Sequence, residues 1–171
     1  MKALTVRPFE EEDISHLQKW LINEDVFKNL YVLYYPMCRD ELTSWYVNEK
    51  KSGAHIFLYY SNEKCSDVAG IGLIHYIHTK NRCGELSVIV NPEYSDKRYG
   101  THILKHLMHT AFDIFNLHKI FLHTAEFNKK MISMIDRMKL VREATYRKEL
   151  FWEGSYHDIF RYGMLEEEYY S

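Results

Sequence analysis

Apolar positions along the chain recur with two periods, and the switches between them outline the elements. Period-two alternation or a short unbroken apolar run marks residues 55–60, 68–78, 85–90, 118–124, 141–152 and 156–165 as strands. Residues 3–7 read as a further short strand closed by Pro8. Helical period marks residues 11–23, with Ile14, Leu17, Trp20 and Leu21 on an inner face, and residues 40–51, with Leu42, Trp45 and Tyr46. It returns at 101–115, where Ile103, Leu104, Leu107, Met108, Ala111 and Phe115 share one side. A last helix runs over 128–138, with Asn128 as its N-cap. Residues 26–37 are aromatic and irregular, and turns are expected at 61–64, 80–82 and 153–155. The order is strand, two helices, antiparallel meander, helix, strand, helix, strand pair, which predicts a mixed α/β (α+β) sheet fold.

One stretch, residues 84–115, carries most of the functional signal. Its strand ends at Asn91-Pro92, because proline cannot donate a ladder hydrogen bond. A polar, basic loop follows, Ser95, Asp96, Lys97, Arg98, Tyr99 and Gly100, and it opens directly into a helix at Thr101. A helix N-terminus offers unsatisfied N–H groups and a positive dipole end, and glycine lets a ligand approach the backbone. Strand, basic loop and helix together therefore suit an anionic, phosphate-bearing ligand.

Length and composition narrow the class. The chain has 171 residues, a length that suits one domain with one sizeable core. A net charge of −2 supplies no global basic field, so nucleic acid is not expected as a partner. Three cysteines, Cys38, Cys65 and Cys83, form no C-x-x-C pair, which favours reduced thiols in a cytoplasmic protein. The N-terminus lacks a secretory pattern, no window is long enough to span a membrane, and no membrane partner is expected. The acidic run Glu10, Glu11, Glu12 and Asp13 falls where a helix begins and reads as dipole-favoured carboxylates.

The stretch NPEYSDKRYGTHIL resembles the acetyl-CoA loop of the GNAT superfamily of N-acetyltransferases, whose motif runs Gln/Arg-x-x-Gly-x-Gly/Ala. Gly100 and Thr101 match it, while Arg98 stands at the first glycine and Ser95 at the Gln/Arg. Arg7-Pro8-Phe9 with its acidic run, Leu117-His118-Lys119-Ile120 and the closing segment from Trp152 to Asp158 resemble the branch that contains ribosomal-protein N-terminal, spermidine and nucleotide-amino-sugar acetyltransferases. The resemblance covers nearly all of the chain. It implies a single GNAT-like domain over residues 1–171, with a central, mostly antiparallel twisted sheet and helices on both faces. It also implies acetyl-CoA as co-substrate and a small-molecule or peptide amine as acceptor. Acetylation of an amino-sugar nucleotide, or a catalytically weak CoA-binding protein, are the alternatives. Oligomeric state is open, with a homo-oligomer one outcome.

Site residues follow from the same resemblance. Val88, Ile89 and Val90 would offer backbone groups to the pantetheine arm, and Ser95 to Thr101 would hold the pyrophosphate. Glu85, in a Gly-Glu-Leu where relatives have Ala-Glu, is the candidate for taking the amine proton; the alternative is a solvent-facing carboxylate or a structural ion pair. Asn128 opens a family motif that closes seven residues on with a cofactor-facing tyrosine, the acid for the leaving thiolate. Here that position is Ile135, which cannot donate a proton, and the Gly-Phe that follows is Lys139-Leu140. His102, His106 and His109 share a helix face, but the apolar side of that helix lies opposite, so they read as solvated rather than as metal ligands. His75 and His78 are weak acid–base candidates. No Ser or Cys forms a recognisable nucleophile-and-base pair in the sequence, so direct attack in a ternary complex is expected.

Overall fold

A computed structural model describes residues 4–30, 33, 35–61 and 66–171. Tyr31, Tyr34, Cys65 and the turn at 62–64 lie outside the described residues. In chain order the elements are β1 (Thr5–Pro8), α1 (Ile14–Trp20), α2 (Glu24–Phe27), α3 (Arg39–Lys51), β2 (His55–Tyr60), β3 (Val68–His78) and β4 (Cys83–Val90). There follow α4 (Tyr99–His109), β5 (Lys119–Ala125), α5 (Lys129–Arg137), β6 (Val141–Trp152), β7 (Ser155–Leu165) and α6 (Glu166–Tyr169). The strands form one seven-stranded sheet, ordered β1-β2-β3-β4-β5-β7-β6, in which β4 and β5 are the parallel pair and the rest are antiparallel.

Alternation along the strands splits the core into two layers. On β2, Ile56, Leu58 and Tyr60 face the layer under α1 and α3, while Phe57 and Tyr59 face the layer under α4 and α5. The stripe of α4 buries Ile103, Leu104, Leu107, Met108 and Ala111, with Phe115 packed against the same layer as expected. The helix widens at its end into a π turn over Thr110–Ile114, where Phe115 N–H reaches back to the Thr110 carbonyl at 2.9 Å.

Three sequence expectations change. The acidic run is not a dipole cluster alone: Asp13 is buried and takes both guanidinium nitrogens of Arg7, at 2.6 and 2.7 Å, tying β1 to the first helical turn. The α4 histidines are not one solvated face, since His106 is half-buried, with Nδ1 2.9 Å from the Tyr59 hydroxyl and its ring against Phe57. Gly100, expected in the loop, already belongs to the first turn of α4.

Candidate active-site cleft

The parallel pair that carries the centre of the sheet is short. β4 and β5 are in register only at Cys83↔Lys119, Gly84↔Ile120 and Glu85↔Phe121. Beyond that point β4 stays with β3 as far as Val90, and β5 stays with β7 as far as Ala125. From Leu86 to Val90, β4 therefore has no partner strand on its β5 side among the described residues, and its backbone groups there face a wedge. A cavity of about 1110 Å³ fills the wedge, lined by Leu86 to Val90 on one wall and by α5 and the start of α4 on another. Glu85 stands at the apex, roughly 17 Å along the strand from Val90 at about 3.3 Å per residue.

One end of the cleft is cationic. Arg98 is the N-cap of α4 and adopts φ 66°, the left-handed conformation that glycine usually supplies. The family's first glycine is lost in sequence, yet its backbone shape persists. Arg98, Tyr99, Gly100 and Thr101 line the cleft together with Ser95 and Asp96. A Cβ on Gly100 would stand 3.2 Å from Val90 Cγ2 and 3.5 Å from Met134 Sδ, so the helix start is pressed onto β4 and α5. Lys129, Lys130 and Arg137 of α5 add charge. Lys130 Nζ donates to Asp96 at 2.8 Å and to Ser95 at 3.0 Å, and this bond holds the Asp96 carboxyl below its ordinary range. Lys97 is not in the lining; its ammonium lies over the Tyr94 ring, 4.9 Å from the centroid.

Asn128 and Ile135 part company. Asn128 lines the cleft and caps α5, its Oδ1 accepting from Met131 N–H at 3.1 Å. Ile135 does not reach the cleft. It is 0% exposed, inside the core layer under α4 and α5. Met131, Met134 and Arg137 occupy the cleft side of α5, and one residue past Met134 the helix has turned about 100°, onto the sheet. A β-branched apolar side chain is stable there, so the position does not serve as a cofactor contact. Lys139, in place of the usual glycine, keeps the left-handed φ of 61° that ends this helix.

The other end is anionic. Glu85 Oε1 and His123 Nδ1 are 3.0 Å apart, with side chains only 15% and 21% exposed. His123 also meets the Tyr146 ring at 5.6 Å. His75, beside Glu85 in the β3–β4 register, has Nε2 at 2.9 Å from Ser87 Oγ and Nδ1 at 3.5 Å from Glu49 Oε2 of α3. A bulge after His75 puts Tyr76 at φ 47°, over the cleft. Its hydroxyl is pushed above its ordinary value by burial and by the Glu49 and Glu85 carboxylates. Trp45 of α3 and Tyr146 and Glu149 of β6 also line the cleft. His78, by contrast, is exposed and accepts from Asn81 N–H.

Sequence reasoning missed Glu49, Ser87 and His123. Ser87 was legible as sharing the face of Glu85, two residues away on a strand. Glu49 and His123 were not, since each reaches the cleft only through the packing of another element.

Among the described residues no helix is long and apolar enough to cross a membrane. A spermidine N(1)-acetyltransferase of Vibrio cholerae is 27% identical over 168 residues, covering 97% of this chain and 95% of that protein. The Escherichia coli K12 spermidine N(1)-acetyltransferase is 23% identical over 171 residues, covering 98% and 88%. The crystal structure of the V. cholerae spermidine N-acetyltransferase in complex with CoA and spermine superposes with a TM-score of 0.88 at 25% identity, covering 98% of each chain. The profile of the acetyltransferase (GNAT) domain matches residues 3–141. With this fold and these matches, the chain belongs to the GNAT superfamily and is an acetyl-CoA-dependent N-acetyltransferase.

Proposed function

We propose that this enzyme acetylates a primary amine of a polyamine or a similar small polycation, by direct attack on the thioester in a ternary complex. The observation that carries the reading is the division of charge along one cleft. Arg98, Lys129, Lys130 and Arg137 outnumber Asp96 on the side of α4 and α5, suited to phosphates, while Glu49 and Glu85 line the strand apex and Glu149 lines the cleft from β6, suited to ammonium groups. The relatives named for spermidine acetylation, and the spermine in one of their crystal structures, point the same way.

In this reading the backbone of Ser95 to Thr101 and the first turn of α4 receive the pyrophosphate. The unpartnered backbone of Val88, Ile89 and Val90 receives the pantetheine arm and the carbonyl oxygen. Glu85 accepts the proton of the attacking amine, with His123 holding the carboxylate at 3.0 Å. Ile135 cannot protonate the leaving thiolate; Tyr94, Tyr99 and Thr101 are among the hydroxyl-bearing residues that line the cleft. The dodecameric V. cholerae spermidine N-acetyltransferase supports a homo-oligomer, which light scattering of this protein would test.

The test is thiol release from acetyl-CoA with a panel of amines. Spermidine and spermine should give the highest kcat/KM, above monoamines, peptide N-termini and amino-sugar nucleotides. Equal turnover of monoamines, or preference for a peptide or sugar, would overturn the polyamine assignment.

A further inference from the structure

Glu49, His75 and Ser87 come from α3, β3 and β4 and form one line; the transfer reaction above uses only Glu49, as one of the carboxylates that face the ammonium groups. His75 is 6% exposed, and its two ring nitrogens face a hydroxyl and a carboxylate. Nε2 is at hydrogen-bond distance from Ser87 Oγ, while the buried Nδ1 has no hydrogen bond among the described residues and stands 3.5 Å from Glu49 Oε2. A proton on Nδ1, turned toward Glu49, leaves Nε2 to accept from the serine. This is the order of groups that activates a serine nucleophile: hydroxyl, imidazole, orienting carboxylate. Ser87 lies on β4 two residues past Glu85, in the part of the strand that has no β5 partner and lines the wedge.

We propose that Ser87 is a second acetyl acceptor, so that with no amine in place the enzyme acetylates Ser87 and then hydrolyses acetyl-CoA. The inference rests on the reading that the cleft takes acetyl-CoA. Ser87 Oγ attacks the thioester carbon and passes its proton to His75 Nε2. The C–S bond breaks, and the departing thiolate takes that proton, leaving an acetyl ester on Ser87 and free CoA thiol. A water then gives its proton to His75 Nε2 and attacks the ester carbonyl, and the Ser87 oxygen recovers the proton as acetate leaves. The sum is acetyl-CoA plus water to CoA thiol plus acetate and one proton, with no oxidant or metal required. Glu49 is a positioning residue, acting through the tautomer of His75.

The experiment incubates the full-length enzyme with acetyl-CoA and no amine, quenches in acid, and maps acetyl groups by peptide mass spectrometry. CoA binding to the same samples is followed by calorimetry and thermal shift. The expected result is acetyl on the Ser87 peptide, removable by hydroxylamine as an ester is and an acetyl-lysine is not. Ser87→Ala should lose both the label and the amine-independent release of CoA thiol, and His75→Gln should slow labelling by about 10²–10⁴-fold. Binding of CoA with no ester at Ser87, or thiol release by folded Ser87→Ala at the wild-type rate without amine, overturns this inference alone. Absence of CoA binding overturns it together with the function proposed above.

Discussion

Replacing Gly100 by alanine and by valine separates a structural glycine from one that lets a ligand reach backbone. Gly100 is the second residue of α4, and its φ lies outside the left-handed region, so neither substitution is strained by backbone conformation. Alanine places a methyl 3.2 Å from Val90 Cγ2 and 3.5 Å from Met134 Sδ, both ends of side chains that can give by a few tenths of an ångström. That crowding opposes a gain of about 0.4–1 kcal/mol from the stiffer unfolded chain. Alanine should therefore leave stability within about 0.5 kcal/mol, or about 2 °C in Tm for a chain of this size. Valine adds two γ-methyls in a seam that is already closed, so they displace Met134 or enter the cleft that Met134 and Val90 line. Holding a pyrophosphate off one N–H of this helix end forfeits a charge-assisted hydrogen bond, about 1.5–3 kcal/mol, or about 10–150-fold in Kd. Calorimetric titration with CoA, beside thermal unfolding, reads both quantities. A folded Gly100→Val that binds CoA like the wild type would refute the assignment of this turn to the phosphates.

Arg98 and Lys139 hold left-handed backbone without glycine's freedom, so Lys139→Gly and Arg98→Gly should each raise stability by about 0.5–1 kcal/mol; Arg98→Gly should also weaken CoA binding, whereas unchanged binding would mean its charge faces solvent. Ile135→Tyr should lower Tm through overpacking of about 1–3 kcal/mol and bring no rise in turnover, since the ring enters the core rather than the cleft; a faster, equally stable variant would contradict that placement. Burial, and then His109, push the His106 imidazole below its ordinary value, and its Nδ1 shares a hydrogen bond of 2.9 Å with the Tyr59 hydroxyl. The unfolded chain therefore binds the extra proton, and stability should be full above about pH 6.5 and fall as pH drops below it, by up to about 1.4 kcal/mol per pH unit. His106→Gln should flatten that slope in urea titrations at about pH 7 and about pH 5, and an unaltered slope would remove His106 as its source.

Much of this molecule is written locally in its sequence. Residues 55–60, 68–78 and 141–152 emerge as strands with the bounds expected, because period two along a half-buried strand is a local property. The loop into α4 and the Asn128 cap are local as well, since a glycine, a basic pair and a capping amide act on their own backbone. What the sequence could not decide is how far β4 and β5 run together. That depends on twist and on where β7 takes over the edge of β5, and it opens the wedge after Glu85. His123 meets Glu85, and His75 meets Glu49, only because strands and a helix distant in the chain converge there. The same holds for Ile135, whose offset from Asn128 matches a family tyrosine while the rotation of α5 on the sheet turns it inward. Arg98 and Lys139 lack glycine's side-chain signature yet carry its φ, because the surrounding packing imposes the turn and the sequence alone does not reveal it.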